Sequence, residues 1–94
     1  MQNKLRTVRA RISGRVQGVS YRVWTRGEAI RLELTGWVRN EDDGSVTAIF
    51  RGAQISVAVM IERLWQGPRG AAVSKVEIED IELGDTPADF RIAP

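Results

Sequence analysis

Alternating apolar and polar residues mark the strands of this chain. Residues 7–13 alternate, with Val8, Ala10 and Ile12 on one face, and a period of two indicates a half-buried β-strand. Residues 45–51 alternate in the same way. The pattern predicts further strands at residues 36–39 and 73–83, with a possible short edge strand at residues 90–92.

Between the strands, apolar residues recur at the spacing of an amphipathic helix. From about Tyr21 the predicted core-facing stripe is Val23, Gly27, Ile30 and Leu34. Glycine at position 27 weakens a helix by roughly 1 kcal/mol, so we expect it to allow close approach to the sheet. Residues 54–66 predict a second helix, which ends at the Gly-Pro pair that follows. Its predicted stripe is Val57, Ile61 and Leu64.

These elements follow one another as strand, helix, strand, strand, helix, strand. That order is typical of the α+β ferredoxin-like βαββαβ sandwich, in which a four-stranded antiparallel sheet carries both helices on one face. A short fifth strand at the edge is compatible with this fold. The third strand is expected between the first and the second. The loop at residues 14–21 and the turn at residues 40–44 then share one sheet edge, on the order of 10 Å apart.

The composition excludes several kinds of chemistry. The 94 residues fit one domain, taken as residues 1–94, and they include no cysteine and no histidine. Disulfides, thiolate nucleophiles, Cys-based zinc sites and a histidine general base are therefore excluded. The N-terminal segment lacks the apolar stretch of a signal peptide, and no apolar run is long enough to cross a bilayer. A cytoplasmic location without a membrane partner is expected.

Charge is distributed unevenly along the chain. Residues 1–40 hold nine Lys/Arg and two acidic residues, whereas residues 41–94 hold five Lys/Arg and ten acidic residues. A basic half suggests an anionic ligand, from a small phosphate ester up to nucleic acid. On charge alone, a solvated arginine-rich face is the better explanation.

The loop GRVQGVSYR, residues 14–22, is the strongest candidate for an anion site. Its two glycines let successive backbone N–H groups point inward, and the loop leads into a helix N-terminus, where negative charge is favoured. Arg22 lies in the first helical turn, where a cation is unfavourable against the helix dipole, so it suggests a ligand. An ordinary strand-to-helix connection with a surface arginine explains the loop equally well. The loop matches neither the P-loop nor the dinucleotide fingerprint.

Asn40 ends the second predicted strand. On its own it is better explained as a turn residue whose side chain bonds to its own backbone. Glu41, Asp42 and Asp43 follow it, and because acidic residues are common in hairpin turns for local reasons, we do not expect them to bind a metal.

Together, GRVQGVSYR and TGWVRNEDDGSV resemble the two signatures of acylphosphatases, and the match spans about residues 8–52. The resemblance implies a small enzyme of βαββαβ fold that hydrolyses the carboxyl–phosphate bond of an acyl phosphate to a carboxylate and orthophosphate. It also implies that no metal or organic cofactor is used. By position, the catalytic residues are Arg22 and Asn40.

The resemblance assigns phosphate binding to the loop and water positioning to Asn40. The expected phosphate-binding residues are Arg15, Val16, Gln17, Gly18, Val19 and Arg22, the first five through backbone N–H groups. Such chemistry needs mainly positioning and electrostatics, because the carboxylate leaves readily. The expected partners are a small acyl phosphate and, as product inhibitor, orthophosphate. The protein is expected to be a monomer, and no pocket for the acyl group is evident.

Two residues depart from the family pattern. Tyr21 stands where phenylalanine is usual, which we expect to be tolerated. Glu33 stands where many members have glycine. If residue 33 follows the helix in left-handed geometry, glutamate strains it by about 1 kcal/mol.

Two alternative functions remain open at this point. One is a non-catalytic module that binds phosphate or carbamoyl phosphate. The other is an RNA-binding ferredoxin-like module that stacks bases on sheet aromatics. Nucleic acid is disfavoured, because Phe50 is the single aromatic residue on the first and third predicted strands.

Overall fold

A computed structural model describes residues 4–82 and 87–94. Its elements confirm the predicted order, and they are β1 (Leu5–Arg15), α1 (Tyr21–Arg31), β2 (Thr35–Asn40), β3 (Val46–Ala53), α2 (Gln54–Gln66), β4 (Ala72–Asp80) and β5 (Phe90–Ile92). The fourth strand ends at Asp80, earlier than the prediction of residues 73–83, whose last residue, Leu83, lies outside the described residues. No helix of the described part is long and apolar enough to cross a membrane.

The five strands form one sheet in the order β4-β1-β3-β2-β5. β3 lies in the middle and pairs antiparallel with β1 and β2, as the topology predicts. β5 pairs in parallel with β2, joining Gly36 to Phe90 and Val38 to Ile92, so the sheet is mixed. The ferredoxin-like fold is confirmed, with the short fifth strand at the edge.

The core lies between the sheet and the helices. Val8, Ala10 and Ile12 of β1 are fully buried, which confirms the alternation in this strand. The aromatic ring of Phe50 also belongs to the core, where it stacks on Phe90 with ring centroids 5.3 Å apart. Phe50 is therefore no base-stacking platform on the open face of the sheet.

The predicted core-facing stripe of α1 was wrong for Val23 and Ile30, whereas its last member, Leu34, is buried just after the helix. The helix buries Tyr21, Thr25 and Ala29, while Val23 is 65% exposed and Ile30 is 49% exposed. The physical reason is that the large ring of Tyr21 enters the core and sets the rotation of the helix, which turns Val23 and Ile30 outward. A Cβ at Gly27 would meet no other heavy atom within 4 Å, so the expected close approach to the sheet is wrong too.

α2 has the predicted bounds but a slightly different buried face. Val57, Met60 and Leu64 are fully buried, and Ile61 is partly buried against the core. Met60 therefore takes the central position that the pattern assigned to Ile61.

α1 ends in a Schellman motif. Its closing bonds run from the Glu33 N–H to the Ile30 carbonyl at 3.0 Å and from the Leu34 N–H to the Ala29 carbonyl at 2.9 Å. Glu33 adopts a left-handed conformation with φ of 59°. This confirms the prediction that residue 33 follows the helix in left-handed geometry, where glutamate is strained.

Candidate active site

Along the loop between β1 and α1, the backbone φ angle alternates between positive and negative values. Gly18 and Ser20 have positive φ values of 75° and 63°, and Val19 between them has a negative φ. Such alternation turns successive N–H groups to the same side and makes an anion-binding concavity. Within residues 4–82 and 87–94, the amides of residues 17–20 donate to no protein acceptor. The loop therefore offers amides that a bound anion can use.

The positive end of α1 adjoins this loop. The helix begins at Tyr21, the side chain of Ser20 makes no capping hydrogen bond, and the first turn carries no acidic residue. Arg22 in this first turn adds a guanidinium to the positive end of the helix dipole. In the part of the chain that the structure describes, Arg22 forms no ion pair, whereas seven other arginines do. A partly buried cation of this kind is available to an anionic ligand.

Asn40 ends β2, and its Oδ1 atom is buried with no hydrogen-bond partner among the described residues. The turn is closed instead by Asp43, whose Oδ1 accepts hydrogen bonds from the Ser45 backbone N–H at 2.9 Å and from the Ser45 hydroxyl at 2.6 Å. Asn40 is therefore not the residue that closes the turn. Because an orphaned buried acceptor costs free energy, its Oδ1 is suited to accept a hydrogen bond from water or substrate.

Arg22 and Asn40 face the same cavity of about 390 Å³. The cavity is lined by Val16, Gln17, Gly18, Ser20, Tyr21, Arg22, Val23, Asn40 and Ile92. The structure thus brings together both predicted catalytic residues and four of the six predicted phosphate-binding residues, Arg22 belonging to both sets. Val16 buries its side chain in the core, so it can reach a ligand only through its backbone.

Two predicted phosphate-binding residues do not line this cavity. Arg15 is the last residue of β1, where it pairs with Ala72 of β4. Val19 is partly buried against the core. A role for their backbone N–H groups stays a prediction.

Gln17 bridges the predicted gap between the loop and the β2–β3 turn. Its side-chain Nε2 donates to the carbonyl oxygens of Glu41 at 2.8 Å and Ser45 at 2.9 Å. The sequence analysis assigned only the backbone of Gln17 to the site and missed this bridge. In the sequence, the only sign of this role was that Gln17 has an uncharged amide side chain and lies between Gly14 and Gly18. The bridge holds the loop and the Asn40 end of β2 in a fixed relation.

Tyr21 lines the cavity and ties the start of α1 to the end of α2. Its hydroxyl donates to the Leu64 carbonyl at 2.7 Å, which satisfies one of the unpaired carbonyls in the last turn of α2. Burial raises the pKa of Tyr21 above its ordinary value. The hydroxyl therefore stays neutral and tied to α2, which supports a structural role for this departure from the family pattern.

The acidic residues of the turn are engaged in local contacts. Hydrogen bonds from Ser45 hold the pKa of the Asp43 carboxyl below its usual value, and Arg11 also contacts this carboxyl. Glu41 pairs with Arg39 at 3.0 Å. In the described part of the chain, no group of three or more acidic side chains is placed to hold a metal ion.

A second cavity, of about 450 Å³, lies on the open face of the sheet. It is lined by Arg9, Arg11, Arg39, Glu41, Thr47, Glu77, Ile78 and Glu79. Here the guanidinium groups already have carboxylate partners, with Arg9 bound to Glu79 at 2.6 Å and Arg39 bound to Glu41 at 3.0 Å. Charge is abundant on this face, but it is largely neutralised, so the Arg22 cavity is the better anion site.

Comparison with known proteins agrees with the geometry. The family model for acylphosphatase matches residues 8–92. The chain is 62% identical to an acylphosphatase of Mesorhizobium japonicum and 59% identical to one of Rhizobium etli, each over 98% of both chains. Its fold is similar to the structure of an acylphosphatase from Coxiella burnetii, with a TM-score of 0.92 and 39% identity over 99% of each chain.

Proposed function

The chain belongs to the acylphosphatase family, and we propose that it hydrolyses acyl phosphates in the cavity that Arg22 and Asn40 share. The activity of the family breaks the carboxyl–phosphate bond of an acyl phosphate and releases a carboxylate and orthophosphate. One observation carries the assignment to this cavity. Loop residues, Arg22 and Asn40 line it, and the loop amides, the Arg22 guanidinium and the Asn40 Oδ1 each lack a protein partner in residues 4–82 and 87–94.

The loop and Arg22 bind the phosphoryl group in this proposal. Backbone N–H groups of the loop donate to the phosphoryl oxygens, and the Arg22 guanidinium adds charge-assisted hydrogen bonds. Because these donors are held in place before the substrate arrives, they stabilise the charge of the transition state without reorganising. The positive end of α1 acts in the same direction.

Asn40 positions the attacking water. Its Oδ1 accepts a hydrogen bond from the water, whose oxygen then forms a bond to phosphorus as the bond from phosphorus to the acyl oxygen breaks. An amide is a poor base, so the proton of the water passes to a phosphoryl oxygen. The departing carboxylate is stable as an anion and needs no general acid. Positioning and electrostatics therefore carry the reaction.

The finer properties are part of the same proposal. Orthophosphate, which has the tetrahedral oxygens of the transferred group, acts as a product inhibitor. The enzyme works as a monomer, without a metal or organic cofactor, and as one domain over residues 1–94. A cytoplasmic location stays a prediction from the sequence.

No observation favours the alternative functions. A sheet that binds RNA needs exposed aromatic residues, but Phe50 is buried and stacked on Phe90. A module that binds phosphate or carbamoyl phosphate without turnover does not need Asn40, which lines the same cavity as Arg22.

Hydrolysis of an aryl acyl phosphate in the presence of a metal chelator tests the proposal. Arg22→Ala and Asn40→Ala should each lower kcat/KM about 10²-fold or more, the scale of losing one preorganised group in the transition state. Arg31→Ala is the matched control, since Arg31 lies on the same helix and outside the cavity. Near wild-type turnover by a folded Asn40→Ala variant would refute the role of this residue.

A further inference from the structure

The position of the Asn40 side chain depends on the turn that follows it. Its Oδ1 is buried and has no hydrogen-bond partner among residues 4–82 and 87–94, so no donor in this part of the chain holds the atom in place. Asn40 is the last residue of β2 and pairs with Val46, the first residue of β3. Its placement therefore depends on how residues 41–45 are held between these two strands.

Ser45 takes part in four hydrogen bonds that hold this turn. Its carbonyl oxygen accepts from the Glu41 N–H at 2.8 Å and from Gln17 Nε2 at 2.9 Å. Its own N–H and hydroxyl donate to Asp43 Oδ1 at 2.9 Å and 2.6 Å. Because Ser45 is buried, removal of the Asp43 carboxylate leaves these two donors without a ready replacement.

The Asp43 carboxylate is also held from β1. Its Oδ2 pairs with the guanidinium of Arg11, which lies opposite Thr47 of β3 in the register of the sheet. Both side chains of this pair are about half exposed, and an ion pair in that setting contributes little by itself. The hydrogen bonds from Ser45 also lower the pKa of the carboxyl more than Arg11 does. Arg11 therefore orients the carboxylate, and the bonds to Ser45 stabilise the turn.

The location of this turn gives its aspartate more than a local role. An aspartate that bonds to the backbone two residues ahead is common in turns and needs no functional reason. Here the turn begins directly after Asn40, and the Ser45 carbonyl also accepts from Gln17 of the phosphate-binding loop. A shift at Ser45 would therefore move Asn40 relative to that loop. A misplacement of about 1 Å can lower a rate on the order of 10²-fold.

We propose that Asp43 is a positioning residue for the hydrolysis, which acts through Ser45 to hold the Asn40 side chain in place beside the bound phosphoryl group. Asp43 does not line the active-site cavity, so it does not touch the substrate. This inference rests on the proposed function and adds a residue to it. Loss of Asp43 should lower kcat and leave phosphate binding largely intact, because the loop keeps its bond from Gln17 to the Glu41 carbonyl.

Steady-state kinetics with benzoyl phosphate measure this effect. Asp43→Ala should lower kcat about tenfold, while the inhibition constant for orthophosphate changes less than about twofold. Asp43→Asn keeps an oxygen that can accept both bonds from Ser45 and should recover most of kcat. Asp42→Ala is the matched control, since it removes the neighbouring carboxylate of the same turn, which takes no part in these bonds. It should leave kcat unchanged.

A double-mutant cycle with Asn40 separates positioning from a general effect on the fold. If Asp43 acts through Asn40, Asp43→Ala should lower kcat less than about twofold in a protein that already carries Asn40→Ala. A purely structural role predicts the same fractional loss in both backgrounds. Ser45→Ala removes only the hydroxyl donor and should lower kcat about threefold, again only when Asn40 is present. This variant keeps the test valid if Asp43→Ala does not fold.

The outcomes distinguish the inference from the function on which it rests. Absence of acyl phosphate hydrolysis by the wild-type protein would refute the proposed function. Wild-type kcat in a folded Asp43→Ala variant, or an equal fractional loss with and without Asn40, would overturn the positioning role alone.

Discussion

Replacing Glu33 by glycine measures the strain at the end of α1. Glu33 occupies the left-handed position of the Schellman motif with φ of 59°. A residue with a Cβ costs roughly 1–2 kcal/mol in this conformation, whereas glycine adopts it freely. Glycine also gains freedom in the unfolded chain, which offsets up to about 1 kcal/mol of the benefit. The net expectation is a free energy of unfolding about 1 kcal/mol higher for Glu33→Gly.

Urea unfolding followed by tryptophan fluorescence and far-UV circular dichroism checks this value. For a domain of this size, 1 kcal/mol corresponds to a rise in Tm of about 4–8 °C. Glu33→Ala is the matched control, because it removes the charge and keeps the Cβ, and its stability should stay close to that of the wild type. Acyl phosphate hydrolysis should be unchanged, since Glu33 does not line the active-site cavity. Equal gains from alanine and glycine would refute the backbone explanation and assign the effect to charge.

Two further substitutions probe the contacts that hold the site. Gln17→Leu removes the hydrogen bonds to Glu41 and Ser45. The free energy of unfolding should therefore fall by about 1–2 kcal/mol, and KM should rise. An unchanged KM in steady-state assays would contradict the bridging role. Tyr21→Phe removes the bond to the Leu64 carbonyl and should destabilise by about 1–3 kcal/mol with kcat retained. Because burial raises the pKa of Tyr21 above its ordinary value of 10.0, unfolding midpoints should fall more steeply above about pH 10 in the wild type than in this variant, and parallel curves would refute that linkage.

Much of the fold is predictable from local pattern and connectivity. The bounds of α2 and β5 match the prediction, because each segment is delimited by clear breaks in the hydrophobic spacing. The rotation of α1 was not predictable in this way. Hydropathy ranks Val23 and Ile30 above Tyr21 and Thr25, yet the core accepts the larger ring and leaves the two aliphatic side chains outside.

The candidate site was predictable where it depends on motif and sheet topology. Both place Arg22 and Asn40 at one edge of the sheet, and the structure puts them on one cavity. The bridge made by Gln17 was not predictable. It depends on which atoms meet when distant segments pack, and an amide side chain between two glycines does not identify its partners in the sequence.

Titration of the ¹⁵N-labelled protein with orthophosphate tests the central claim most directly, with backbone amide and arginine Nε–H resonances followed in a metal-free buffer. The account predicts that the amides of Gln17, Gly18 and Ser20 and the Nε–H of Arg22 shift along one saturable curve. Arg22→Ala should weaken the binding about tenfold or more. Saturable shifts confined to Arg9, Arg11 and Arg39 on the open face of the sheet, with an unperturbed loop, would contradict it.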